Sequence, residues 1–171
     1  DLLAAVMDVA VVGDDLPIPL AQRDAALVLG TGTLGERVAK AAAMSAASSG
    51  RTCELVQALT QGSATDALLS QRLAALDQRR RAEVADYFEQ VASRAPTMLE
   101  LDEVWLLTSA EVFHLLVHRS GWTPEQHEHW LANRLLRLVS QDPQDAPGPG
   151  NKSQRKGVSE KQNGRSRPTP K

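Results

Sequence analysis

Three side-chain types in this 171-residue chain could do chemistry by position, and histidine leads. His114 and His118 stand four apart in "EVFHLLVHRS", so a helix would carry both imidazoles on one face. That spacing lets two imidazoles ligate one metal ion. His127 and His129 follow in "HRSGWTPEQHEHWL", but two apart they point to different sides of a helix. No third ligand can be named from spacing, so no metal site is assigned and these read as surface or interface histidines. Arg80 breaks an otherwise apolar stripe, Leu69, Leu73, Leu76, Val84, Tyr87, Val91. It reads either as a cation facing a cavity, suited to an anionic ligand group, or as a snorkelling side chain paired with Asp77, Glu83 or Asp86. Cys53 is the sole cysteine and has no histidine near it in sequence, which suggests a buried, inert thiol.

Catalysis finds little support. There is no G-x-S-x-G elbow and no phosphate loop. "LGTGTLG" has the glycines of a dinucleotide turn but follows no strand pattern, so it reads as a turn before a capped helix. No enzymatic activity and no cofactor are expected.

The elements that must position these residues are helical. Hydrophobic residues make up 42% of the chain and aromatics 4%, which suits helices packed on helices. An apolar run from 2 to 12 ends at Gly13, "GDDLPIPLAQR" is a loop, and a short helix follows over 20–29. Thr33 and Glu36 form a capping box that opens a helix over 34–60, whose stripe narrows to Ala42, Ser45 and Ser49. Small residues there imply either a closely packed neighbour or space for a ligand, and Ser48-Ser49-Gly50 invites a kink. Ser63 or Thr65 starts a helix to about Val91. A short one spans Leu101–Leu107, and Thr108 with Glu111 opens the next. Gly121 ends that helix, and Thr123-Pro124-Glu125-Gln126 starts the last, which runs to about Val139. The expectation is an all-α bundle of about six or seven helices. Its last two are joined by a short turn, so they form an antiparallel hairpin.

The charge is divided. Residues 1–141 carry 12 Lys/Arg against 18 Asp/Glu, while 142–171 carry 7 against 3. The first part, taken as one domain, is thus no nucleic-acid surface by charge. The second, rich in Pro and Gly, cannot offset its ordering entropy and is expected to be a disordered basic tail. A single thiol, no basic-then-apolar leader and no long apolar run point to a reducing cytoplasm and no membrane. The chain opens on Asp1 inside what reads as a helix, which suggests a fragment of something longer.

The apolar faces of the last two helices are broad. Val112, Leu115, Leu116 and Arg119 lie on one; His127, Trp130, Leu131, Arg134, Leu135 and Leu138 lie on the other, with Trp122 at the corner. Two such hairpins about a two-fold axis would make a self-complementary four-helix interface, so a homodimer is expected.

"EVWLLTSAEVFHLLVHRSGWTPEQHEHWLANRLLRLV", Glu103 to Val139, resembles the C-terminal end of TetR/AcrR-family transcriptional regulators. One branch of that family has a tryptophan, a T-S-P-E-V helix start, then G-W-(S/T)-P-E-Q-Y-E-x-W-L. The matching positions are Trp105, Thr108-Ser109-Ala110-Glu111-Val112, Gly121-Trp122-Thr123-Pro124-Glu125-Gln126 and Trp130-Leu131. "GDDLPIPLAQR" is similar to that branch's G-D-D-x-P-x-P-x-x-x-R loop, and "RRRAEV" stands where it has a basic run. The likeness spans about residues 1–139 and is most specific over 103–138. Ala110 replaces a proline, His127 a tyrosine, and Ser48-Ser49-Gly50 a bulkier run. The resemblance implies a dimer formed by the last two helices and a small-molecule effector pocket among the middle ones. Arg80, Tyr87, Phe88 and Trp105 are the large or polar residues expected to face that pocket. It also implies DNA binding through a helix-turn-helix that is not in these residues. A metal-binding or enzymatic bundle using His114 and His118, or a ligand-free dimerisation scaffold, is the alternative.

Overall fold

The computed structural model describes residues 28–140, together with Val6, Val9 and Ala10, which are helical. The proline-rich loop at 13–23 and most of the two segments flanking it lie outside the described residues. So does everything from 141 onward, including the expected basic tail. Chain contacts divide the molecule into Asp1–Gln141 and Asp142–Lys171.

Among the described residues there are five helices and no strand: α1 (Leu34–Ser63), α2 (Ala67–Ala92), α3 (Met98–Leu107), α4 (Ala110–Phe113, continuing as a π-helical stretch His114–Arg119) and α5 (Pro124–Val139). None of them is long and apolar enough to cross a membrane. A turn at 28–32 precedes α1 and buries Leu29 completely.

Local chemistry explains most boundaries. At α1 the Thr33 amide donates to Glu36 Oε2 (2.8 Å) while the Glu36 amide donates to Thr33 Oγ1 (3.3 Å), the reciprocal box expected there. α1 then runs unbroken through Ser48-Ser49-Gly50 for 30 residues. α2 begins later than the sequence suggests. Asp66, not Ser63 or Thr65, is its cap, and its Oδ1 accepts from the amides of Leu68 and Leu69. A carboxylate takes both free amides and also answers the positive end of the helix, which neither hydroxyl does. α2 ends on Ser93 in the left-handed region (φ 58°), where Arg37 Nη1 donates to its hydroxyl (2.9 Å).

α3 also starts earlier than expected, at Met98. Thr97 and Glu100 form a capping box in "PTMLE". Arg94 grips both oxygens of Glu100 (2.5 and 3.0 Å), and this, with the Thr97 amide, holds the carboxyl down at about 2. The next start is displaced by one residue. Thr108 closes α3, its amide and hydroxyl both donating to Val104 O, so it cannot also open α4. Ser109 is the cap and accepts from the Val112 amide (3.2 Å). Glu111 is therefore not a capping-box partner.

α4 turns into a π-helix at His114, which the sequence pattern did not foreshadow. The Ser120 amide reaches back five residues to Leu115 O (3.0 Å). Gly121 (φ 75°) then lets the Trp122 amide return to Leu116 O (3.0 Å), a left-handed helix stop. α5 starts at the expected box of Thr123 and Gln126 with Pro124 in the first turn.

α1 is the central element. Its Val38 and Ala42 meet Leu131, Leu135 and Leu138 of α5, and α2 adds Val84, Phe88 and Val91. α5 packs mainly on α1 and touches the π-helical stretch before it only sparsely.

Candidate functional site

The small stripe of α1 does two jobs. On one side the Phe113 ring of α4 packs beside Gly50, where a Cβ would stand 3.5 Å from it in ordinary contact. Ser45 and Ser49 point to the α3–α4 junction, with hydroxyls 3.4 and 3.5 Å from Thr108 O. On the other side the same shortness leaves space.

That space is a partly open cavity of about 230 Å³. α1 contributes Ala41, Met44, Ser45, Ser48, Ser49, Thr52, Val56 and Leu59 to its wall. α2 adds Leu73, Leu76, Val84, Tyr87, Phe88 and Val91, and Val104, Leu135 and Val139 complete the apolar part. Asp77, Arg79, Arg80, Glu83 and Glu111 are its charged residues. Volumes of about 300–1,000 Å³ are usual for drug-sized ligands, so this cavity suits a smaller, mostly apolar molecule.

Arg80, Tyr87 and Phe88 line this one cavity. Trp105 does not line it. Its backbone carbonyl accepts from Arg80 Nη2 (2.7 Å), and its ring lies 5.3 Å from the guanidinium. Arg80 Nη2 also donates to Thr108 Oγ1 (2.9 Å). Arg80 thus braces α2 against the C-terminal end of α3, where carbonyls and the helix dipole favour a cation. Burial lowers its pKa, while Glu111, Asp77 and Glu83 raise it in that order. Three carboxylates, one of them paired with Arg79 (3.6 Å), face two arginines in the lining and leave no surplus positive field. The bracing reading replaces the anion-receptor reading, and Glu111, not among the partners expected for Arg80, is the leading acid. Its proximity depends on the α3–α4 corner, which no spacing rule shows.

The expected dimer face divides as well. Leu131, Leu135, Leu138 and His127 are buried within the single chain. His127 has no hydrogen-bond partner on either ring nitrogen; it stands edge-on to Phe113 (4.9 Å between centroids) and near Trp130 (5.8 Å). Burial alone pushes its pKa down, so it sits in the core as a neutral ring. These four residues are occupied by α1 and α4 and cannot also be the surface met by a second copy. Val112, Leu116, Trp122 and Trp130 are half-buried, and Leu115, Arg119 and Arg134 are exposed. Trp122 and Trp130 stack edge to face, 6.0 Å apart, beside Arg134 and His129 in a shallow surface depression.

A second cluster lies where α4 meets α1. Cys53, buried, has its Sγ 3.5 Å from Nε2 of His118, and the His114 and His118 rings stack at 5.2 Å. Desolvation raises the Cys53 pKa, so the thiol is protonated at neutral pH. The histidine that linear spacing failed to find for Cys53 is 65 residues away in sequence.

No family model matches the chain, and neither a curated protein nor a solved structure matches it significantly.

Proposed function

We propose that this chain is the effector-sensing and dimerisation domain of a TetR-like transcriptional regulator, its DNA-reading head lying outside these residues. The observation that carries the reading is the apolar cavity between α1 and α2, with Arg80 tying its wall to the α3–α4 corner. The resemblance over 103–138 supports it. A ligand in the cavity touches Leu76 and Tyr87 on α2 and Leu135 on α5. Any conformation with a different α2–α5 separation therefore binds it with different affinity, and the ligand shifts the population between the two. Such a shift in a dimer relieves repression by moving the DNA-reading heads. With three acids beside Arg80, the effector is neutral or weakly cationic and largely apolar.

The exposed remainder of the α4–α5 hairpin, Leu115 with Arg119, Trp122, Trp130 and Arg134, is the surface assigned to the second copy. The test uses 1-aminoanthracene, a small neutral dye that brightens in apolar sites. It should bind once per chain, and Ser48→Trp, which fills the cavity, should abolish binding. Light scattering should give twice the chain mass at micromolar concentration, reduced to one chain by Leu115→Arg. Dye binding unaffected by Ser48→Trp overturns the effector site. A monomer in the parent protein overturns the dimer.

A further inference from the structure

We infer that Cys53, His114 and His118 form a binding site for a borderline-soft divalent cation of the zinc class. This goes beyond the effector reading and does not depend on it.

Three observations converge. The first is geometry. The candidate ligand atoms of the three residues all lie within 4.8 Å of one another. A tetrahedral zinc ion with Zn–S of about 2.3 Å and Zn–N of about 2.05 Å places sulfur and nitrogen about 3.6 Å apart. Cys53 Sγ and His118 Nε2 are 3.5 Å apart, so that edge of the tetrahedron is already in place. A nitrogen of His114 lies within 4.8 Å of both, in reach of the third corner.

The second is an unmet polar group. Nδ1 of His114 is buried and has no hydrogen-bond partner. A buried imidazole nitrogen left so is costly, and a metal bound at that nitrogen would take up its lone pair. The two stacked rings, 27° from parallel, also bring basic nitrogens together, an arrangement a shared cation favours.

The third is how the backbone delivers the ligands. Gly50 and Cys53 lie about one turn apart on α1. Phe113 packs beside Gly50, and the segment that follows it carries His118 to within 3.5 Å of Cys53. That segment is the π-helical stretch, a form that is rare in ordinary helices and frequent at functional sites. Cys53 is buried, His114 half-buried and His118 exposed, so an ion enters past His118 and meets sulfur last. As the metal–sulfur bond forms, the thiol proton leaves to solvent. Three protein ligands leave the fourth position to water or a small ligand. One thiolate and two imidazoles select zinc, cobalt(II) or copper over magnesium and calcium.

Cobalt(II) titration of the whole chain reads the site directly. Cys53 is the only cysteine, so any thiolate-to-cobalt charge-transfer band reports on it alone. We expect one cobalt per chain, that band together with the strong visible bands of four-coordinate cobalt, and displacement by zinc. Cys53→Ser should abolish the charge-transfer band. His118→Ala, at an exposed position, should weaken cobalt binding about 100-fold with unchanged far-ultraviolet circular dichroism. His129→Ala, outside the cluster, should change nothing. No band at stoichiometric cobalt overturns the site. So does a band that survives His118→Ala at full affinity, or one cobalt shared by two chains.

Discussion

α1 has two sides, and they are built to opposite rules. Toward α5 it is closed: Val38, Ala42, Leu131, Leu135 and Leu138 are buried, and Leu131 retains no exposed surface. Toward the first half of α2 it is open. Ser45, Ser48 and Thr52 face Leu73, Leu76 and Arg80 across a cavity of about 230 Å³. The difference follows from side-chain length on one helix. Leucine and valine on α5 reach the alanines of α1, but the serines opposite α2 are too short to meet leucines that are themselves only half-buried. One side can carry the stability of the domain, which leaves the other free to hold something.

That contrast can be broken by substitution. The largest effect belongs to Leu131→Ala, which should cost about 3 kcal/mol in urea unfolding, whereas Leu73→Ala on the cavity wall should cost about 1 kcal/mol. Equal losses would mean the two sides are packed alike. Overfilling sharpens the same point. Ala42→Leu should destabilise by about 2 kcal/mol, because its site is full. Ser48→Leu should stay within about 0.5 kcal/mol of the parent, because its site is not.

The effect that depends on pH concerns His127. The pKa of His127 is lowered in the fold by burial, so its neutral form is the one packed against Phe113. The stabilisation is complete above the unfolded histidine value of about 6.5 and is lost as pH falls through the lower folded value. His127→Phe keeps the ring and removes two unpartnered nitrogens. It should raise stability by about 1 kcal/mol at pH 7 and flatten the decline toward pH 5. A thermal midpoint with the same pH slope as the parent would show that His127 is solvated after all.

Much of the closed side was legible in sequence, and much of the open side was not. The α5 stripe and both the Thr33 and Thr123 capping boxes depend on neighbours within four residues, so linear spacing carries them. The role of Arg80 depends on Thr108 and Trp105, 28 and 25 residues on, and so on a corner whose position sequence does not encode. The broad apolar face of α5 misled in a specific way. His127, Leu131, Leu135 and Leu138 have the pattern of an interface, but a pattern says that a face is covered, not by what. α1 covers it. The i,i+4 pair His114/His118 was visible by spacing, and Cys53 joins it only through the packing of the π-helical stretch on α1, which linear spacing does not carry.

The π-helical stretch has a mechanical consequence. A π turn takes up more residues than an α turn, so the segment from His114 to Arg119 holds slack that an ordinary helix lacks. Passing that slack along the chain turns each residue it passes by about 100° while the helix stays intact. His118, but not His114 at the start of the stretch, would swing with it. A cation clamped between the two histidines and Cys53 acts as a pawl on that ratchet, fixing the register of the segment that leads into Trp122 and α5.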